Sequence, residues 1–518
     1  IHDPGAGGHL NCLSELVEDT GGKINLDKLP VGDPTLSARE LIGNESQERM
    51  GRVIKADDVD ELVRIARRER APIYIIGEIT GDHRFVFESE RTGEKPMDLE
   101  LVDMFGKPPR TIMDDHSLKI RYKRIPYKTG DLARDLEGVM QMEAVACKDW
   151  LTNKVDRSVT GKIARQQCAG ELQLPLNNLG AVALDYQGKK GYATAIGHAP
   201  VAAMVDEKAG SVLSIAEALT NIVWAPMPDR IRSISLSANW MWPCKNEGED
   251  ARLYHAAKAA SDFAIALGIN IPTGKDSLSM TQKYEDQVVY APGTDIISAA
   301  REVSHIRKIV EPVVKQDPES HLIYVDLAKD GFKLGGSSFG QYKNKLGSAT
   351  PTVTDPAYFV KSFNLLQNLI EEGKVLAGHD VSAGGLATTL MEMCFANASG
   401  GLEVDITGMP GETFPVLFSE KPAVVIQVSN VREITGLLEK EAIQHHIIGR
   451  PVEGRELILR TRVDKLTLNI DHYRVLWFRT SYLLDRNQSG EKLARDRFES
   501  YRKKRLDLDL GKFQGSFN

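Results

Sequence analysis

Two His-Asp pairs, each followed by paired glycines, hold the residue types best suited to chemistry. His2-Asp3-Pro4-Gly5-Ala6-Gly7-Gly8 recurs 377 residues on as His379-Asp380-Val381-Ser382-Ala383-Gly384-Gly385. A Gly-rich turn that opens a helix presents free backbone N–H groups and the positive end of the helix dipole, which favour phosphate. An Asp beside that phosphate is useful when Mg2+ lies between them. The plainer alternative is a strand-to-helix turn that uses glycine for its positive φ. Recurrence of the same pair favours the functional reading.

A second candidate lies on one helix. Ser211 to Val223 is apolar except at Ser214, Glu217, Thr220 and Asn221. Those four fall on one stripe, and Glu217 and Asn221, four apart, face the same side. A carboxylate and an amide oxygen among apolar flanks suit a hard cation, and an unpaired carboxylate there is costly. The alternative is that the stripe is the helix's solvated face.

Other constellations fail. Gly274-Lys275-Asp276-Ser277 resembles the end of a P-loop, but Gly268 is one residue too far upstream and Asp276 stands where Ser or Thr is required. A different phosphate-binding turn stays open there. Ser382 near His379 has no third member and no nucleophile elbow. Five cysteines, at 12, 147, 168, 244 and 394, form no Cys-x-x-Cys pair. That argues against a disulfide scaffold or a structural zinc site and for a reducing cytoplasm.

The elements that position these residues are read from periodicity. The repeat extends past the motif: Leu13 to Leu16 lies opposite Leu390 to Met393, and Gly21 to Leu26 opposite Gly400 to Asp405. A period this long, carrying a helix and a strand, implies two copies of a domain. In the second copy, Val375-Leu376-Ala377 reads as a strand and Leu386 to Ala396 as a helix. Ile73 to Ile76, Ser233 to Ser237, Leu322 to Val325 and Val424 to Val428 read as strands, and Arg252 to Leu267 as an alanine-rich helix. Gly106 to Arg110 reads as the opening of a linker. The charged tail with Arg502-Lys503-Lys504-Arg505 reads as a solvated linker.

The bulk numbers set bounds. With 518 residues, 42% hydrophobic and 26% charged, the chain is ordinary globular material of roughly three or four domains. A net charge of −7 offers no basic footprint for nucleic acid, and no apolar run approaches the ~20 residues of a membrane span. The first residue is Ile, not Met, which is expected of a piece cut from a longer protein.

Together these segments resemble the family of large formylglycinamide ribonucleotide amidotransferases, also called phosphoribosylformylglycinamidine synthases. The stretches that carry the resemblance are IHDPGAGG from Ile1, GDPTLSARELIGNESQER from Gly32, LTNKVDRSVTGKIARQQC from Leu151, AEALTNIVWAP from Ala216, SANWMWPC from Ser237, GKDSLSM from Gly274 and AGHDVSAGG from Ala377. They run in order over most of the chain. The tail from Trp477 looks like the segment that leads into that family's glutaminase domain.

The resemblance implies an α/β (α+β) fold of tandem aminoimidazole ribonucleotide synthetase-like units, each with an N-terminal A half and a C-terminal B half. It divides the chain into a first B half (1–108), a linker (109–130), a second A half (131–302), a second B half (303–465) and a tail (466–518). The first A half and the glutaminase domain, with its nucleophilic cysteine, would lie outside the chain. The implied activity is a purine-biosynthetic ligase. ATP activates the amide oxygen of formylglycinamide ribonucleotide, and glutamine-derived ammonia then displaces phosphate.

By the same resemblance Asp3 is a catalytic metal ligand. Glu45, Ser46, Gln47 and Ser277 contact the ribonucleotide, and Gly274 serves nucleotide. Without the resemblance, Glu45 to Gln47 reads as an exposed polar turn. A second, non-catalytic site would hold ADP and Mg2+ with Lys148, Asn177, Ser382, Asn178, Glu217, Asn221 and Asp380. This chain departs from the family at Asn177-Asn178, where the family has Ala-Asp. Asn178 replaces a metal-binding carboxylate with a neutral amide, so weaker nucleotide–Mg2+ binding is expected. The alternative reading of the molecule is a non-catalytic nucleotide-bound scaffold that docks the absent domains.

Overall fold

The computed structural model describes residues 1–45, 48–106, 112–118, 120–152, 154–155, 157 and 161–503. The chain forms two compact units, 1–112 and 113–518. The fold is mixed α/β, as expected.

The first unit contains α1 (Gly8–Leu16), β1 (Gly22–Asn25), α2 (Ala38–Gly43), α3 (Val59–Arg68), β2 (Gly77–Ile79), β3 (Arg84–Glu88) and β4 (Met97–Glu100). Its sheet runs β2-β1-β3-β4, with β1 and β3 parallel. Cys12 and Leu13 of α1 share a core with Phe85 and Phe87 of β3, both fully buried. A capping box sets the start of α2: the Ser37 side chain takes the Glu40 N–H, and the Glu40 carboxylate takes the Ser37 N–H, which satisfies donors the helix leaves free. The strand expected at Ile73 to Ile76 is absent, and pairing begins at Gly77. Ile73, Tyr74 and Ile75 are exposed, so an apolar run without a covering layer does not make a strand here.

The second unit begins with a six-stranded sheet: β5 (Ile163–Arg165), β6 (Gly180–Ala183), β7 (Gly191–His198), β8 (Ser235–Met241), β9 (Asn270–Ser277) and β10 (Thr294–Val303), ordered β9-β8-β10-β7-β6-β5. Between these strands run α4 (Glu207–Ile222) and α5 (Glu249–Leu267). The α4 helix starts four residues before the sequence suggests, because the Asp206 carboxylate accepts the N–H groups of Lys208 and Ala209, both at 3.0 Å. It packs close on β7: a Cβ at Gly197 would lie 2.2 Å from the Ala218 nitrogen. Only glycine permits that approach.

The remainder holds β11 (His321–Asp326), α6 (Ser338–Tyr342), β12 (Ala377–Asp380), α7 (Gly385–Phe395), β13 (Gly401–Asp405), α8 (Thr413–Phe418), β14 (Ala423–Val428), α9 (Val431–Lys440), β15 (His445–Val452), β16 (Glu456–Arg460), β17 (Lys465–Asn469), α10 (Ile470–Ser489) and α11 (Glu491–Ser500). The seven strands run β12-β14-β11-β15-β13-β16-β17. The first strand of the second copy is Ala377–Asp380, not 375–377, so His379 and Asp380 lie within it. Leu386, Leu390 and Met393 of α7 are fully buried, each worth about 1.5–3 kcal/mol.

The repeat is visible in the topology. The order β1-β3-β4, with β1 and β3 parallel, recurs as β13-β16-β17, with β13 and β16 parallel. Positive φ recurs at the glycines: Gly7 at 81° and Gly8 at 63°, Gly384 at 87° and Gly385 at 69°.

The tail is not a loose linker through its first part. Both α10 and α11 are helical, and Trp477 and Tyr501 are buried. Lys504 and Arg505 of the basic run lie outside the described residues.

Candidate functional site

In the second unit a cleft opens between the start of α7, the exposed end of β7 and the loops before α6. Glu217, Ser382, Glu420, His198 and Thr350 line it. Glu217 accepts the His198 N–H at 2.8 Å. Burial pushes its carboxyl up to about 8, with the charges of Asp380 and Glu420 adding to the effect against that hydrogen bond. Burial also raises Glu420, whose bonds from Gly384 and Ser338 oppose the rise. Three acids thus act on one another, which a divalent cation would relieve.

Asp380 is 2% exposed, and its Oδ2 has no hydrogen-bond partner. His379 holds it: Nδ1 lies 3.0 Å from Asp380 Oδ1, and Nε2 lies 3.2 Å from Glu392 Oε2. Burial opposes a charged imidazole, but the two carboxylates prevail and push His379 up to about 9. Glu392 is fixed in turn by the Trp477 indole N–H at 3.0 Å, which also donates to the Val145 carbonyl at 3.0 Å.

The remaining expected residues divide. Asn221 donates to the Ile196 carbonyl at 3.1 Å. The register of β6 on β7, with Gly180 opposite Thr194, carries Asn178 toward Ile196. Asn178 Nδ2 is buried without a partner. The Asn177 amide is committed to backbone, donating to the carbonyls of Gln166 at 2.6 Å and Cys168 at 3.0 Å. The Lys148 ammonium donates to the carbonyls of Ala146 at 2.5 Å and Glu143 at 2.6 Å. Burial holds Lys148 below the usual lysine range, and its charge contributes to lowering His198.

The stripe on α4 is not a solvated face. Ser214 is fully buried and donates to Asp295 Oδ1 at 2.9 Å, and Thr220 turns back to the Glu217 carbonyl at 3.1 Å. Glu217 and Thr220 line the cleft, and Asn221 is tied to the Ile196 carbonyl beside it. Gly274 is not in a turn: it lies in β9, an edge strand, where a Cβ would meet the Ala238 oxygen at 2.3 Å. Ser277 closes that strand and accepts from Lys275 Nζ at 2.6 Å.

The first unit carries its own copy. His2 Nε2 lies 2.5 Å from Glu15 Oε2, the counterpart of the His379–Glu392 pair. His2 and Gly51 exchange backbone bonds at 3.0 and 2.7 Å, and the backbone of Gly43 and Asn44 presses on Gly8. The segment with Glu45 therefore runs beside the His-Asp turn. Glu45 is exposed, and Ser46 and Gln47 lie outside the described residues. The side chain of Asp3 is 71% exposed.

Glu420 was not foreseen. The signal was available: it follows the end of α8 by two residues as Glu45 follows α2, and the α8 end packs on Gly385 as the α2 end packs on Gly8.

Comparisons with known proteins agree with this arrangement. Residues 147–302 match the FGAR-AT PurM_N-like domain, and residues 1–90 and 319–462 match the C-terminal domain of AIR synthase related proteins. The chain is thus an AIR synthase-related α/β protein with two copies of the C-terminal domain. Phosphoribosylformylglycinamidine synthase of Homo sapiens is 37% identical over 513 residues, covering 94% of this chain and 38% of the relative. That of Dictyostelium discoideum is 35% identical over 551 residues, covering 99% and 40%. The solved structure of T. maritima PurL complexed with ATP aligns with a TM-score of 0.53 at 16% identity, over 87% of this chain and 63% of that one. The chain belongs to the phosphoribosylformylglycinamidine synthase family and spans about two fifths of the length of the curated relatives it matches.

Among the described residues no group of three or more His, Cys, Asp or Glu forms a ready metal cluster, and no helix is long and apolar enough to cross a membrane. All five cysteines are free and buried.

Proposed function

We propose that this chain contributes to the ATP-dependent conversion of formylglycinamide ribonucleotide and glutamine-derived ammonia to formylglycinamidine ribonucleotide, in the cytoplasm. The observation that carries the reading is kinship at 35–37% identity along nearly the whole chain with enzymes of that name. The repeated turn supports it, since both copies set an Asp beside a helix-opening glycine pair.

The division of labour follows the repeat. Residues 1–108 act as the first B half, with Asp3 toward the reacting phosphate and Glu45, Ser46 and Gln47 toward the ribonucleotide. Residues 131–302 act as the second A half and bring Gly274 and Ser277. Residues 303–465 act as the second B half, and 466–518 lead toward a glutaminase domain. The second cleft takes ADP with Lys148, Asn177 and Ser382. Its acids fit Mg2+: the donors are hard oxygens, and Asp380 Oδ2 is buried without a partner. Glu217, Asp380, Asn221 and Asn178 would hold the cation there, and Asp3 would hold one in the first copy. When bound, Mg2+ neutralises phosphate charge. This chain's own part is to fix Asp380 through His379 and Glu392, to hold Glu217 on the His198 N–H, and to keep Lys148 beside the cleft.

The test is ADP release from ATP with formylglycinamide ribonucleotide and ammonium salt. Substrate-dependent ADP release by the chain, or by the chain with its A-half partner added, is expected; neither producing it would sink the proposal. The second reading, a nucleotide-bound scaffold, is favoured by the burial of Asp380 beside the second cleft. It is recognised by Mg2+-dependent ADP binding without turnover.

A further inference from the structure

Glu420 Oε1 accepts two backbone N–H groups, from Gly384 and Ser338, each at 2.7 Å. Gly384 caps the start of α7, and Ser338 is the first residue of α6. One carboxylate oxygen therefore satisfies the N-terminal donors of two helices. This is the bonding a phosphate oxygen would accept at such a turn.

Two hydroxyls at the same place lack partners. Thr388 Oγ1 lies against Gly384, and Thr350 Oγ1 belongs to a residue that lines the cleft. Both are buried and make no hydrogen bond, their residues 2% and 7% exposed. Buried hydroxyls left unpaired are costly, so the turn holds spare donors that a phosphate could use only if the Glu420 carboxylate were gone. The first copy supplies the contrast. Glu45 holds the same position after its helix, yet it is exposed and, among the described residues, makes no bond to the turn.

We infer that Glu420 is a specificity-determining residue: its carboxylate occupies the phosphate position of the second glycine turn and keeps free phosphate out of it. The first turn is left open by the same residue type. Only the consequence for nucleotide rests on the proposed function: a nucleotide in the second cleft is held from the Glu217, Asp380 and Ser382 side, not by the Gly384 N–H.

The test uses inorganic phosphate and the whole chain. Calorimetry on the wild type sets the reference, including any phosphate that the open first turn takes. Glu420→Ala frees two N–H donors and removes a charge, so phosphate affinity should rise by on the order of tenfold or more. No gain in a folded Glu420→Ala protein would overturn the inference. Should that variant fail to fold, the wild type decides: with glycine labelled by 15N, phosphate should leave the Gly384 amide resonance unmoved, and a shift sinks the idea. Inorganic phosphate carries no purine. A separate titration with ADP and Mg2+ tests the nucleotide reading, and its failure would leave the phosphate result standing.

Discussion

Asp3 and Asp380 end the same His-Asp pair, whose His in each copy meets a Glu thirteen residues after it, yet they live in opposite environments. The side chain of Asp3 is 71% exposed and that of Asp380 is 2% exposed. The β12–β14 ladder that seats Asp380 pairs His379 with Val425, and His2 pairs with Gly51 at the matching place in the first copy. Behind Asp380 stand a Trp, a buried His and a second acid on α4. The difference teaches that duplication kept the turn while the surroundings set what each copy is for. An exposed acid suits a substrate that arrives and leaves; a buried, braced acid suits a ligand that stays.

The largest test of that contrast compares the two acids directly. Asp3→Asn should cut substrate-dependent ADP release by about 10²-fold or more, while Asp380→Asn should abolish Mg2+-dependent ADP binding and reduce turnover far less. Equal losses in both assays for both variants would erase the distinction. A second test asks how firmly α4 is held. Burial raises Asp295 to about 7 from 3.8, partly offset by the Ser214 hydrogen bond. The folded state therefore binds the proton more tightly, so this group's contribution is full below pH ~4 and is lost as pH rises to about 7. Asp295→Asn should flatten that decline, by on the order of 4 kcal/mol, in denaturant titrations from pH 4 to 7.

Smaller effects refine the second copy. Asn178→Asp should tighten Mg2+-dependent ADP binding by about tenfold, and unchanged affinity by calorimetry rejects a cation role for this position. Trp477→Phe removes the N–H that fixes Glu392 and should cost about 1 kcal/mol with a measurable weakening of ADP binding. A loss of stability with ADP binding intact would show that the indole only fills space.

Much of this was legible in the residues. The repeat, the helices at α5 and α7 and the strands at β11 and β14 follow from periodicity and from the glycines that end or begin them. The stripe on α4 was legible only in part: Ser214 shares the spacing of Glu217 and Asn221, and nothing in that spacing reveals the buried Asp295 that takes its hydroxyl. The strand at Ile73 to Ile76 failed because no layer covers it. Asn177 shows a further limit. Its amide is occupied by the backbone of its own hairpin, a contact set by loop geometry and not by residue type. Glu420 escaped the sequence reading because the matched residues end at Asp405, short of α8.

The Trp477–Glu392–His379 brace also has a consequence in time. A ribosome completes α7 roughly eighty residues before the indole that steadies it. At about 5–20 residues per second, several seconds pass in which His379 and Asp380 are already made but unsupported. The His379–Asp380 pair thus gains its support well after its own strand is made. A release or pause before Ile470 would leave the strand and helix formed but the acid unanchored.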